Sequence, residues 1–586
     1  MQVTKKIFLL FHCIIFSEIK SFLDKIYYIN YFLKNINLLK YIGFIFYRNK
    51  INPFKSLSFQ RYIIENKKKW HKLKFETNSN EKILVENFIN QAAYGMSNAI
   101  ISKFLSKINN NEIIGFIRDG DLKSEIIFRS FGIQKFIKLK KRNIYQKLKY
   151  NILAFIKILK INSINDYCKI QIKNIDIGLP AYDSFIRYTG IPTAKEMSSD
   201  LIFFLAETLY VYDKFEEVIK KDRSIKHLIQ SETAFVPLNI FFQVSLKNSI
   251  KVYSRLGTDK FSIRRYDNSN QRYFYRANIS QKLLDEVHNN FSKKCNTDIQ
   301  KYYKGLQKKG YFGQDLRIRA KLKKRLKLIT KNEILKQFNW SRQKKIVVFF
   351  LNHLIDVNFH SGPRTIFKDN YTWTNFLLNK IKSIKNVNWI LKDHPSQPFY
   401  KSKLNFEKEI KSLTKKFSHI NYFNLEWDAA SLKKIADLAI TSHGTVGVEY
   451  PSFGIDSLYV ENSFYSNVDI KKKISNMNEL NKKLKKLDKT KRVKSKICRK
   501  ANSFLYIRYI LLQNKCSIIP SHDTSRQIDE NKYWQNSTNL IKKFSFGNDE
   551  FYKMFKIQLK YNMRHTVNFN QLNLKKIYYN DLSENC

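Results

Sequence analysis

The chain predicts an α/β fold of two large domains, on three observations. Short apolar runs at Ile346–Leu351, Val387–Leu391, Ile420–Phe423 and Leu438–Thr441 alternate with spans of helical periodicity, the pattern of parallel strands joined by crossover helices. A separate alternation of the same kind starts near Ser79. At 586 residues and 43% hydrophobic content, the chain exceeds what one ordinary core organises and suffices for two.

Residues 1–78 read as a basic, aromatic amino-terminal segment. Lys5 and Lys6 precede the apolar run Ile7–Phe16, which is too short to span a bilayer and lacks a small-residue cleavage site. Ile26–Lys50 mixes aromatic and aliphatic residues with lysines, a composition that suits a membrane interface or an amphipathic layer packed on the next domain.

The first α/β domain is expected over 79–340. Its reading runs helix Glu81–Ile108, strand Ile113–Ile117, the turn Arg118-Asp119-Gly120-Asp121, and helix Leu122–Phe131 stopped by Gly132. Strand Ile133–Leu139 and helix Lys141–Leu159 follow. Gly, Pro, Asp, Tyr and Arg crowd together in Ile175–Thr193, in a chain with only 16 Gly and 9 Pro, so this stretch reads as a shaped loop. Beyond it are a long helix to Lys221, strand Ile225–Ile229, a helix from Pro237 and strand Ile250–Tyr253. Residues 255–345, polar and basic, read as helices and loops leading to a hinge. The second domain, 341–480, opens on Ile346–Leu351, a run of the buried parallel type, and includes helix Met477–Leu487. Residues 481–586 read as carboxy-terminal helices and a basic tail.

A net charge of +57 would ordinarily point to a polyanion. Here Lys, Asn, Ile, Phe and Tyr are over-used together, all residues with AT-rich codons, so charge alone names no partner. The lysines are spread along the chain and no nucleic-acid module signature appears, so no specific nucleic acid is expected. Six cysteines lie far apart without a CxxC pair, which suits a reducing compartment and the cytoplasm.

Two of the apolar runs end in polar turns: Lys392-Asp393-His394-Pro395-Ser396 and Ser442-His443-Gly444-Thr445. Ligands of open α/β sheets sit beyond the carboxyl ends of the strands. His394 offers an imidazole donor, Ser442 and Thr445 offer hydroxyls, Gly444 lets the backbone come close, and a helix starting near Thr445 would aim N–H groups at an anion. Glu449, about one turn on, is placed to accept from ribose hydroxyls. Each feature has a plainer explanation as a turn, a cap or a solvated face; together they predict a nucleotide-phosphate site.

The series NHLID (352–356), KDNYTW (368–373), NWILKDHP (388–395) and ADLAITSHGTVGVEYPSFGIDSLY (436–459) resembles bacterial capsular and surface polysaccharide biosynthesis proteins of the GT-B glycosyltransferase type. Similar paired signatures occur in capsule Kdo transferases, bacterial sialyltransferases and teichoic-acid glycerophosphotransferases. IGLPAYDSFIRYTGIPT is similar to an amino-domain signature of that group, except that Leu179 stands where an acidic residue is usual. The resemblance implies two Rossmann-like domains facing a central cleft, a nucleotide-sugar donor, with a CMP-linked sugar among the candidates, and a glycan or lipid-linked acceptor. It assigns His394, Ser442, Gly444 and Thr445 to the donor phosphate and Glu449 to the ribose. No DxD-type pair ends a strand of the second domain, so transfer without a metal or other obligatory cofactor is expected.

For the base that takes the acceptor's proton, Asp119, Asp183 and Asp356 are candidates, with Arg187 as an anion clamp. A plain turn or cap is the alternative for each carboxylate. Three other functions fit parts of the same pattern: transfer of a polyol phosphate from a CDP-linked donor, nucleic-acid binding, and an inactive membrane scaffold. The amino end suits work on an anionic membrane surface at the inner face of the cytoplasmic membrane.

Overall fold

A computed structural model describes residues 56–73, 78–89, 92–256, 260–308, 326–359, 361–395, 397, 402–424, 426–520 and 530–572. Of the expected amino-terminal segment 1–78, residues 1–55 and 74–77 lie outside them, and Leu57–Lys72 is a helix. The chain divides into two compact α/β units, the first formed by Met1–Ser184, Ala194–Arg272 and Asn514–Val567, the second by Phe185–Thr193, Tyr273–Gln513 and Asn568–Cys586. This division differs from the boundaries read at 79, 341 and 481. The long helix Gln281–Lys308 packs on Ser495–Tyr506 and belongs with the second unit, whereas helix Glu530–Lys543 packs on Leu57–Lys72 in the first.

The first unit is built on a seven-stranded sheet. Its strands stand in the order 514–515, 260–266, 251–256, 225–230, 82–86, 112–118, 135–139. The run from 135–139 to 251–256 is parallel, with Ile83 opposite Ile113 and Val85 opposite Gly115. Strands 260–266 and 514–515 add on antiparallel. The expected helix Glu81–Ile108 is corrected here: Lys82–Glu86 is a central strand and the helix is Ala92–Asn109. Ile83, Leu84 and Val85 are each 0% exposed, and a run of aliphatic side chains covered on both faces suits a parallel strand. Each such side chain contributes about 1.5–3 kcal/mol on burial.

Ile175–Thr193, read from sequence as a loop, is also corrected. Most of it is the helix Gly178–Thr189, ended by Gly190 at φ +73°. Pro180 lies in the first turn, where a missing N–H costs no helix bond, so it does not break the helix. Gly178 is needed for contact rather than flexibility, since a Cβ there would lie 1.8 Å from the Tyr167 carbonyl oxygen.

The helix Ile144–Leu159 starts in a capping box made by Asn143 and Gln146. It buries Tyr150, Ala154, Phe155 and Ile158 and packs on Ser199–Lys221. Its other face leaves Ile144, Tyr145, Leu148, Ile152, Ile156 and Leu159 exposed. Among the described residues, no helix is long and apolar enough to cross a membrane.

The second unit holds a five-stranded, all-parallel sheet in the order 420–422, 388–392, 346–350, 438–441, 456–459. Counted along the chain, that order is 3-2-1-4-5. The sequence therefore reverses direction between Ile346–Phe350 and Leu438–Thr441, the topological switch point of a doubly wound sheet.

Candidate functional site

Both central strands of the second unit feed loops that meet at the switch point. After Ile346–Phe350 comes Asn352, whose Oδ1 accepts the Ser442 N–H at 3.0 Å and the Thr441 hydroxyl at 3.3 Å. Arg364, farther along the same loop, donates Nη2 to Ser442 Oγ at 2.6 Å, Nη1 to Asn370 Oδ1 at 2.8 Å and Nε to the Phe367 carbonyl at 3.0 Å. Glu461 fixes the loop from the other side: its carboxylate accepts the N–H groups of Thr365 at 2.6 Å, Ile366 at 3.2 Å and Phe367 at 2.9 Å. The Arg364 and Glu461 side chains are 3% and 2% exposed. Buried charges held this way are hydrogen-bonded, which fixes the backbone at Thr365–Phe367.

The predicted turn is present, with a different division of labour. Ser442 is wholly buried and its hydroxyl serves Arg364, which makes it a positioning group. The Gly444 N–H donates to Thr441 Oγ1 at 3.2 Å, while its carbonyl accepts from Tyr465 Oη at 2.8 Å. The helix that follows, Val446–Ser452, is only seven residues long, and the Thr445 side chain makes no capping bond to it. Thr445 is therefore not the plain cap that its residue type allows. A Cβ on Gly447 would stand 2.0 Å from Tyr465 Oη, so glycine there lets the tyrosine reach Gly444.

His394 is half-buried beyond the Asn388–Lys392 strand. Its ring meets that of His353 edge-on, with centroids 5.7 Å apart. His353 Nδ1 accepts the Ile355 N–H at 3.3 Å. Next to His394, the Asp393 carboxylate takes the Tyr422 hydroxyl, and burial holds the Lys392 ammonium below its usual range.

Glu449 sits among aromatic residues. Its Oε1 accepts from Tyr509 Oη at 2.9 Å, and Tyr509 stacks on Tyr302 with centroids 5.2 Å apart. Burial pushes the Glu449 carboxyl up, against the pull of Tyr509, Arg508 and Lys433. The Lys433 ammonium lies over the rings of Phe453 and Tyr303, at 4.3 and 4.4 Å, and burial brings it down to about 8.

The candidate bases belong to different units. Asp356 pairs with Arg187, Oδ1 to Nη1 at 3.2 Å, within the second unit, so the clamp predicted beside Asp183 serves Asp356. Asp183 is 3% exposed on the helix Gly178–Thr189 and belongs to the first unit. Asp119 is exposed at the end of strand Glu112–Arg118, also in the first unit, and its neighbour Asp121 caps the next helix. Among the described residues, no three His, Cys, Asp or Glu side chains gather as a metal-ligand group.

Sequence reading missed Arg364, Glu461, Arg508 and Tyr509. Gly362-Pro363, in a chain poor in both residues, is the one signal that marks the Arg364 loop.

No family model matches the chain, and no curated protein matches it either. Among solved structures, the KpsC β-Kdo 2,4-transferase of Thermosulfurimonas dismutans aligns at 10% identity over 55% of this chain and 94% of its own, with a TM-score of 0.30. The wall teichoic acid polymerase TagF aligns at 11% identity over 85% and 96%, with a TM-score of 0.22. MnaA of S. aureus, solved with UDP, aligns at 9% identity over 72% and 91%, with a TM-score of 0.23. With every TM-score below 0.5, the functional reading rests on this chain's own residues.

Proposed function

We propose that the chain is a GT-B-like glycosyltransferase of surface polysaccharide synthesis, moving a sugar from a nucleotide-sugar donor to a glycan or lipid-linked acceptor. The observation that carries the reading is the junction of the Asn352–Arg364 and Ser442–Thr445 loops at the switch point of the second sheet. A nucleotide bound there presents its phosphate to Gly444, Thr445 and His394 and its ribose to Glu449. The step from nucleotide binding to glycosyl transfer rests on the motif series 352–356, 388–395 and 436–459.

In this mechanism the bond from the sugar's anomeric carbon to the donor phosphate oxygen breaks as the acceptor hydroxyl attacks. Charge grows on the leaving phosphate, where fixed donors stabilise it; one such donor is worth about 2.7–4 kcal/mol in the transition state. The acceptor's proton passes to a carboxylate. Asp356, held by Arg187, is the candidate on the donor unit, and Asp119 and Asp183 are those of the other unit.

The proposed membrane contact is the exposed stripe of helix Ile144–Leu159. Ile144, Tyr145, Leu148, Ile152, Ile156 and Leu159 share a face, and Lys141, Lys149 and Lys160 are exposed around it. An apolar stripe rimmed by lysines suits an anionic bilayer surface and a lipid-linked acceptor.

A thermal-shift and calorimetry panel of CMP, CDP, UDP, GDP and their sugars, on wild type and His394→Ala, tests the donor site. A ligand at 100 times its Kd adds about 2.7 kcal/mol. The expected result is selective stabilisation by one nucleotide, weakened by the substitution; a folded protein that binds none of them overturns the proposal. Product analysis then separates sugar transfer, which frees the whole nucleotide, from polyol-phosphate transfer, which moves a phosphate.

A further inference from the structure

Arg508 lies far along the chain from every motif of the predicted site. It belongs to the π-helical turn Ile507–Leu511, which ends helix Ser495–Tyr506. Turns of this kind are rare and recur at functional sites. The residue is 8% exposed, and its guanidinium carbon lies over the Phe464 ring, 3.8 Å from the centroid.

The hydrogen bonding of Arg508 is incomplete. Nε and Nη1 are buried and meet no hydrogen-bond partner among the described residues. Buried guanidinium groups that serve only the fold are ordinarily saturated, as Arg364 is in the same unit, with bonds to Ser442, Asn370 and Phe367. Phe464 lies against the guanidinium as a ring contact and offers no acceptor to Nε or Nη1.

Both flanks tie Arg508 to the phosphate turn. Beneath it, Phe464 is followed by Tyr465, which bonds the Gly444 carbonyl and packs on Gly447. Beside it, Tyr509 bonds Glu449, one turn beyond Thr445. A buried cation whose Nε and Nη1 lack acceptors, bracketed by the two ends of the Gly444–Glu449 segment, calls for an anionic oxygen ligand. Resting on the nucleotide-site reading, we infer that Arg508 is a phosphate-recognition residue of the donor site, donating from its guanidinium edge to phosphoryl oxygens of the nucleotide.

The test compares wild type, Arg508→Gln and Arg508→Lys in the full-length protein, with calorimetric titration of a nucleoside and its mono- and diphosphate, the base being the one wild type prefers. The glutamine variant is expected to bind the phosphates at least tenfold more weakly, while its affinity for the nucleoside stays within about twofold of wild type. The lysine variant, keeping the charge without the planar edge, should fall between. If the glutamine variant does not fold, the lysine variant makes the same comparison, with phosphate affinity reduced and nucleoside affinity kept. Unchanged phosphate affinity in a folded variant overturns the inference and leaves the donor site standing. Equal loss of nucleoside and nucleotide also overturns it, as a packing effect. Absence of any nucleotide binding by wild type overturns the donor site itself, and the inference with it.

Discussion

Arg364 Nη2 meets Ser442 Oγ at 2.6 Å, a bond between loops 78 residues apart in sequence. Through it, the loop after one central strand sets the shape of the loop after its neighbour. Replacing Arg364 with Ala takes away the buried cation nearest Glu461, 3.9 Å off, and one hydrogen-bond partner each of Ser442 and Asn370. The expected loss is about 3–5 kcal/mol of unfolding free energy, read from urea denaturation. A loss below 1 kcal/mol would show that the junction is not held as described.

Gly447→Ala tests the contact with Tyr465. The added methyl would lie 2.0 Å from Oη, and overpacking of this kind costs about 1–3 kcal/mol. In a Tyr465→Phe background, where that oxygen is gone, the same substitution should cost less. Additive effects in the double-mutant cycle would argue against the contact.

Glu449 makes a prediction about pH. Its carboxyl is raised above the usual 4.5, chiefly by burial, so the folded state binds more protons than the unfolded chain between 4.5 and the raised value. Its contribution to stability is present in full below 4.5 and is lost as pH rises through the folded value. Tyr509→Phe removes a bond that favours the charged form, so the loss should extend to higher pH. Glu449→Gln should abolish that part of the slope. Urea midpoints across pH 4–8 decide it, and identical slopes in all three proteins would refute the assignment.

The exposed stripe on Ile144–Leu159 predicts flotation with anionic liposomes. A double change, Ile152→Glu with Ile156→Glu, alters only exposed positions and should leave the melting temperature within a few degrees. Liposome binding should fall at least tenfold. Undiminished binding would move the membrane contact elsewhere.

The second sheet was legible because its strands are buried on both faces, so Ile346–Leu351, Val387–Leu391 and Leu438–Thr441 stand out as unbroken apolar runs. Lys82–Glu86 was not, because a short run leading directly toward the helix Ala92–Asn109 shares its apolar composition. Gly178 and Pro180 misled by residue type: both signal loops in general, and both here begin a helix. In the site, the Ser442–Thr445 turn was visible from spacing, whereas Arg364 and Arg508 are two among 106 basic residues. What distinguishes those two is burial and partners, which spacing does not carry. The bond from Arg364 to Ser442 was not legible, since a hydroxyl beside a glycine looks the same whether it faces a ligand or a buried guanidinium.

The segment Asn514–Val567 completes the first unit, pairing Asn514 with Phe261 at the sheet edge and seating Trp534 against Phe59 and Tyr62. On the ribosome, the first unit thus emerges without its own closing piece, while the residues of the second unit's sheet are all synthesised in between. The usual order, in which an amino-terminal domain finishes before the next one starts, does not apply to this chain. A ribosome stalled before residue 514 holds a nascent chain whose second sheet is fully made and whose first sheet still has an open edge at Lys260–Tyr266.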